Sequence, residues 1–153
     1  MTELIVGQKA PAFEGFDQNG NSVKLDDFKG KKLVLYFYPK DNTPGCIKEA
    51  CSFRDNYNDM ISKGFYVIGV SADSEKSHQK FTEKFQLPFP LIADTERTIL
   101  EAYGAFGEKK MYGKSFMGIK RSTFIINEEG LIEKIVKKVD TKDSASQIVK
   151  LYE

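Results

Sequence analysis

The chain has no tryptophan, one histidine and two cysteines in 153 residues. Two cysteines do not make the multi-bridge scaffold that holds small secreted domains together. One histidine beside two cysteines leaves a zinc site short of ligands unless carboxylates complete it, so no metal and no other cofactor is expected. Neither charge is in excess: 23 Lys and Arg against 22 Asp and Glu give +1 with His neutral. That balance removes the electrostatic footprint of a nucleic-acid binder. No apolar run approaches the ~18 residues of a membrane span. The first residues, MTELIVGQKAPAF, show no basic region followed by an apolar core, so no signal peptide is expected. Repeats, low-complexity tracts and linkers are also missing, which predicts one domain over 1–153. What remains, 41% hydrophobic and 29% charged, is a globular composition. The expectation is a cytoplasmic domain whose two cysteines are the first place to look for chemistry.

The pattern of the elements predicts an α/β fold. Phe13 to Leu25 reads as two short strands around an Asn-Gly-Asn turn, an N-terminal β-hairpin. Lys32 to Tyr38 (KLVLYFY) is a continuous apolar run, the mark of a strand covered on both faces, and Pro39 ends it. Thr43 followed by Pro44 looks like an N-cap with proline at the first helical position. Cys46, Ala50, Phe53, Tyr57 and Met60 then recur at helical spacing, which predicts one helix from Pro44 to about Lys63, stopped at Gly64. Phe65 to Ser71 reads as a second buried strand. Glu75 to Phe85 reads as a helix capped by Ser74, Leu91 to Ala93 as a short strand, and Thr98 to Tyr103 as a short helix. Lys110 to Gly118 is strand or glycine-punctuated loop. Ser122 to Asn127 and Leu131 to Val136 flank Glu128-Glu129-Gly130 as a hairpin, and Asp143 to Tyr152 is a weak amphipathic helix. Strand–helix–strand units followed by a hairpin imply a mixed central sheet with helices on both faces.

Cys46 falls on about the third helical residue. Amide groups of a first turn have no carbonyl partner within the helix, and together with the helix dipole they stabilise an anion. A thiolate is an anion, so the position favours the ionised thiol. Lowering a thiol from ~8.5 to ~6 takes ~3.4 kcal/mol, of which a dipole supplies about 1. A cation must supply the rest, and Arg54, Arg97 and Arg121 are the candidates. Cys51 lies five residues on. Along an ideal helix the two Cα atoms are ~8.6 Å apart, beyond the ~7 Å limit for a disulfide. Either the two never bond, or the first turns unwind to let them. The plain alternative, a small buried hydrophobe, stays open for both, and the spacing is not CxxC.

The segment YFYPKDNTPGCIKEACSFRD contains Pro39-x3-Thr43-x2-Cys46, which resembles the active-site motif of the peroxiredoxins, thiol peroxidases on a thioredoxin-like fold. VGQKAPAF, GNSVKL, IGVSADSEKSHQKF, LPFPLIAD and IKRSTFIIN each look like corresponding segments, in order, of the bacterioferritin-comigratory-protein or peroxiredoxin Q group. The resemblance implies roles. Cys46 is the peroxidatic cysteine, attacking hydrogen peroxide or an organic hydroperoxide and becoming sulfenic acid. Thr43 bonds thiolate and peroxide through its hydroxyl, Pro39 shields the thiolate from water, and Arg121 completes the pocket. Cys51 is the resolving cysteine of an intramolecular disulfide, which thioredoxin or a similar dithiol reduces. Members with such a close pair are often monomers. Two departures stand out: Ile47 where the group often has Thr, and Ala72 where Pro is common. A redox sensor would use the same pair but stop after about one turnover. A protein-disulfide reductase is disfavoured by the absence of CxxC.

Other residues carry plainer expectations. His78 is expected on a solvated helix face with no role. Arg54 is expected to pair with Asp55 or Asp59, and Glu49 to favour the dipole from an exposed first-turn position near the pocket rim. Tyr36, Phe37, Tyr38, Phe53, Tyr57 and Phe65 are expected in the core. Phe116 and Met117 are expected to form an exposed apolar collar by the site, suited to organic hydroperoxides.

Overall fold

A computed structural model describes residues 4–153. The N-terminal hairpin forms as expected: β1 (Glu14–Phe16) pairs antiparallel with β2 (Ser22–Lys24). Its turn is held by the Asp17 carboxylate, which accepts from the amides of Asn19 (2.8 Å) and Asn21 (3.0 Å). A 3-10 turn over Leu25–Phe28, not anticipated, leads on to the sheet.

β3 (Lys32–Phe37), β4 (Phe65–Ser71), β5 (Leu91–Ala93), β8 (Ser122–Ile126) and β9 (Ile132–Val136) form one mixed sheet in the order β5-β4-β3-β8-β9. β3 runs parallel to β4 and antiparallel to β8. The apolar run of β3 is buried from Leu33 to Phe37 because both sheet faces are covered. One face packs against α1 (Pro44–Asp55), α2 (Tyr57–Ser62), α3 (Glu75–Phe85) and α5 (Ser144–Lys150), through Val34, Tyr36, Phe53, Met60, Phe81 and Ile148. The other meets the N-terminal segment and α4 (Thr98–Ala102), through Leu35, Phe37, Phe13, Ile99, Leu100 and Phe124. Each fully buried side chain of this size contributes ~1.5–3 kcal/mol.

The structure corrects two expectations and settles a third in favour of strand. The single helix from Pro44 to Lys63 is two, broken at Asn56, whose side-chain amide donates to the Ser52 carbonyl at 2.8 Å. An asparagine that bonds its own backbone one turn back competes with the helical ladder. The segment around Lys110–Gly118 is a hairpin of its own, β6 (Phe106–Met111) and β7 (Lys114–Ile119), joined at Tyr112 (φ 54°) and Gly113 (φ 76°). Positive φ at both central residues is the tight hairpin turn, but tyrosine is not a residue that advertises it. Finally, His78 is 0% exposed. It shares a stripe of α3 with Phe81 and turns inward with it.

Candidate active site

The register of the sheet assembles the site. Phe37, the last residue of β3, pairs with Ser122, the first of β8. The loop that leaves β3 therefore starts beside the residue that enters β8, and that residue is Arg121. After the loop, Thr43 takes the N-cap position with extended backbone and Pro44 stands at the first helical position, as the sequence predicts. The Thr43 hydroxyl does not cap the helix; it donates to the Lys40 carbonyl at 2.8 Å. The ladder begins with Ile47 N donating to Thr43 O at 2.8 Å. The amides of Gly45 and Cys46 precede that bond and have no helical carbonyl to meet.

Cys46 is the third residue of α1, only 1% exposed, and belongs to the apolar cluster that includes Val34, Tyr36 and Phe53. It is more enclosed than a helix start alone suggests, yet hydrocarbon does not surround it entirely. Arg121 Nη2 donates to Cys46 Sγ at 3.2 Å, and Nη1 donates to Glu49 Oε1 at 2.5 Å. Of the three arginine candidates, this is the one the fold brings to the sulfur. Arg54 is held by Asp55 (2.9 Å), one of its two expected partners, and by the Phe85 carbonyl (2.7 Å). Arg97 lies over the Phe106 ring.

Gly45 lets the guanidinium come this close: a Cβ there would sit 3.2 Å from Arg121 Nη2. Burial works against the Arg121 charge, but Glu49 and Cys46 together raise its pKa above the ordinary value.

Glu49 is the largest correction within the site. It is not an exposed first-turn residue but 0% exposed, one helical turn after Cys46, and paired to Arg121. Burial pushes its pKa up to about 7, against the opposing pull of Arg121. Among the described residues, its Oε2 and the Tyr36 hydroxyl are buried without a hydrogen-bond partner. The signal for Glu49 was its spacing, three residues from Cys46 and so on the same face of the helix.

Cys51 lies in the same unbroken helix, half-buried, and both thiols are free. Burial raises the Cys51 pKa, helped by Asp55 and opposed by Arg54. Pro39 is half-buried just past β3. A cleft of about 730 Å3 borders Arg121, with walls from Tyr103, Phe106, Phe124 and Ile135. Phe116 and Met117 are exposed on β7, as expected, but they are not among the residues that wall this cleft.

A second polar cluster was not foreseen. Asp41, in the loop after β3, accepts from the Tyr38 hydroxyl (2.6 Å) and the Ser77 hydroxyl (2.8 Å) and meets His78 Nδ1 at 2.6 Å. Its amide donates to Asp73 Oδ2 at 2.9 Å, which also accepts from the Ser71 hydroxyl at 2.7 Å. Asp41, Asp73 and His78 place ligand-type atoms within 4.8 Å of one another. Those contacts already give the Asp41 carboxylate and Asp73 Oδ2 hydrogen-bond donors, so the cluster works as a closed network.

Comparison with known proteins gives this arrangement its relatives. The Bacillus subtilis protein named peroxiredoxin Bcp is 49% identical over 142 residues, covering 93% of this chain and 90% of the relative. A putative peroxiredoxin bcp of Coxiella burnetii is 48% identical over 144 residues, 94% of this chain and 95% of that one. Among solved structures, a cysteine-to-serine mutant of Xylella fastidiosa PrxQ superposes with a TM-score of 0.91 at 31% identity, covering 99% of this chain and 97% of the other. The Xanthomonas campestris bacterioferritin comigratory protein, solved in work on its alkyl peroxide reduction activity, gives 0.88 at 34% identity, covering 96% of each chain. The AhpC/TSA family pattern matches residues 6–135, a span that takes in the cysteine-bearing helix, the guanidinium laid against it and the sheet that joins them, so the chain belongs to the AhpC/TSA family, among its Bcp peroxiredoxins.

Proposed function

We propose that Cys46 carries the thiol peroxidase activity of this peroxiredoxin, with Arg121, Thr43 and Pro39 around it and Cys51 as its resolving partner. The observation that carries the reading is the Arg121 Nη2 contact to Cys46 Sγ at 3.2 Å, at a helix start whose first amides lack carbonyl partners. The Cys46 thiolate attacks one peroxide oxygen. A sulfur–oxygen bond forms, the O–O bond breaks, and its electron pair leaves on the second oxygen, which takes up a proton as water or alcohol. Guanidinium and backbone amides stabilise the charge on both attacking sulfur and departing oxygen. The Thr43 hydroxyl, which donates to the Lys40 carbonyl in this state, must turn to reach a peroxide.

Cys51 then attacks the sulfenic acid. The S–S bond forms and hydroxide leaves, with the Cys51 proton, as water. Both residues sit in one helix, so the step requires the start of α1 to unwind. A thioredoxin-type dithiol reduces the disulfide by exchange and is itself oxidised. Hydrogen peroxide and organic hydroperoxides are both substrates in this reading. Resolution inside one chain needs no second subunit, which supports a monomer acting as one domain over 1–153. No helix among the described residues is long and apolar enough to cross a membrane. A dithiol cycle suits a reducing compartment, and the cytoplasm is the one proposed.

The test is peroxide consumption with thioredoxin and its reductase. Cys46→Ser abolishes turnover. Cys51→Ser abolishes thioredoxin-driven turnover but still reduces peroxide when an external thiol is supplied. Full activity in Cys46→Ser overturns the assignment.

A further inference from the structure

We propose that His78 is a positioning residue for the Cys46 chemistry: through Asp41 it latches the 39–43 loop to α3, sets where that loop delivers Thr43 and the start of α1, and keeps the first turn of α1 wound. The proposal rests on the reading of Cys46 and Cys51 given above.

The chemistry of the contacts fixes how His78 is used. Its Nε2 lies 3.0 Å from the Ile92 carbonyl. A carbonyl only accepts, so Nε2 carries the hydrogen. Its Nδ1 lies 2.6 Å from Asp41 Oδ2, so a proton lies between those two atoms as well. Histidine therefore bridges β5, which it holds by one nitrogen, and the loop, which it holds by the other. Asp41 is the receiving post. Its other contacts reach Tyr38 at the end of β3, Ser77 on α3 and, through its amide, Asp73 beyond β4. The next residue, Asn42, has φ 60°, a left-handed conformation that asparagine tolerates but does not seek. Lys84 of α3 donates to its side-chain oxygen at 3.4 Å. The loop is thus shaped from α3 and β5, not from α1, the helix it introduces. A fully bonded network with a buried centre at Tyr38, Asp41 and His78 holds one conformation; the cysteine-bearing turn it supports must both hold still for attack and come apart for disulfide closure.

Two substitutions separate the two nitrogens. Asparagine places an amide donor where Nδ1 was and keeps the Asp41 bond; glutamine places one where Nε2 was and keeps the Ile92 bond. Both leave a comparable gap in the core. Rapid-quench measurements read Cys46 oxidation by hydrogen peroxide in a Cys51→Ser background, and disulfide closure with both cysteines present. His78→Gln slows Cys46 oxidation at least about tenfold, the scale of a displaced positioning group, and speeds closure of the disulfide. His78→Asn restores most of both rates. Ser77→Ala, at a half-buried position, shifts both rates in the same directions by less, and it decides the matter should the glutamine variant not fold. Equal damage in His78→Asn and His78→Gln makes His78 a packing residue only and overturns the proposal, as does a Ser77→Ala or His78→Gln variant with unaltered rates. A native chain in which peroxide never oxidises Cys46 defeats the underlying reading instead, so the two failures are told apart.

Discussion

Glu49 and Arg121 stand 72 positions apart in the chain and 2.5 Å apart in the fold, and the guanidinium that bonds the carboxylate through one nitrogen meets the Cys46 sulfur through the other. One side chain therefore joins two acidic groups of the same helical face. Its fork geometry makes this possible; a lysine ammonium, a single point of charge, does not reproduce it.

Removing the fork has two consequences. Arg121→Met slows peroxide attack by Cys46 by about 100-fold or more, the scale seen when one preorganised donor is lost from a reacting centre. It also leaves Glu49 buried without its partner, at a cost of roughly 1–3 kcal/mol. Single-turnover kinetics and urea unfolding check the two effects separately. The double variant Arg121→Met, Glu49→Met recovers stability but not rate.

The pH dependence of folding reports on Glu49. Its folded pKa, about 7, lies above the ordinary 4.5 because burial penalises the charged form. Between those values the folded chain binds more protons than the unfolded one. The contribution is fully present below about 4.5 and is lost as pH rises through 7. Glu49→Gln removes it. Urea unfolding at pH 4.5 and pH 7.5 then gives a decline for the native chain that exceeds the decline for Glu49→Gln by up to about 3 kcal/mol, at ~1.36 kcal/mol per unit. Identical declines in the two chains would sink the account of this carboxyl.

Oxidation should loosen the start of α1. Two cysteines five apart in a wound helix lie ~8.6 Å apart at Cα, and a disulfide does not span that. On conversion to the disulfide, hydrogen exchange at the amides of Ile47 to Cys51 accelerates at least about tenfold, while that of β3 is unaltered. Equal protection in both redox states contradicts a Cys46–Cys51 bond.

Gly45 supplies a variant that disturbs the site without harming the fold. Alanine is the better helix former by up to about 1 kcal/mol, and the backbone here needs no glycine conformation, since Gly45 is not among the residues with positive φ. Its Cβ, however, meets Arg121 Nη2 at 3.2 Å. Gly45→Ala keeps or raises the urea midpoint and slows peroxide attack several-fold by displacing the guanidinium from Cys46.

Alkylation of Cys51 offers a further check. Burial and Asp55 hold this thiol above its ordinary pKa, and Arg54 works against them. In a Cys46→Ser background, Arg54→Met removes the one lowering influence. Labelling by iodoacetamide at pH 8.5 then slows relative to Cys46→Ser alone, because the thiolate is the reacting form.

The amino-acid sequence by itself determined what is local. The apolar run of β3, the Thr43-Pro44 start of α1, the Ser74 cap of α3 and the hairpin around Gly130 follow from periodicity and from residues whose backbone or side chain admits few alternatives. It also placed Cys46 at a helix start, where an anion is welcome. Tertiary structure decided which groups complete that position. By helix position alone Arg54, Arg97 and Arg121 are equal candidates; the resemblance points to Arg121, and the pairing of Phe37 with Ser122 is what brings it to the sulfur. The same is true of burial. Glu49 and His78 read as surface residues because charged and polar side chains mostly are, and each is inside because a partner from a distant segment replaces water: Asp41 bonds His78, and Arg121 bonds one of the two Glu49 oxygens.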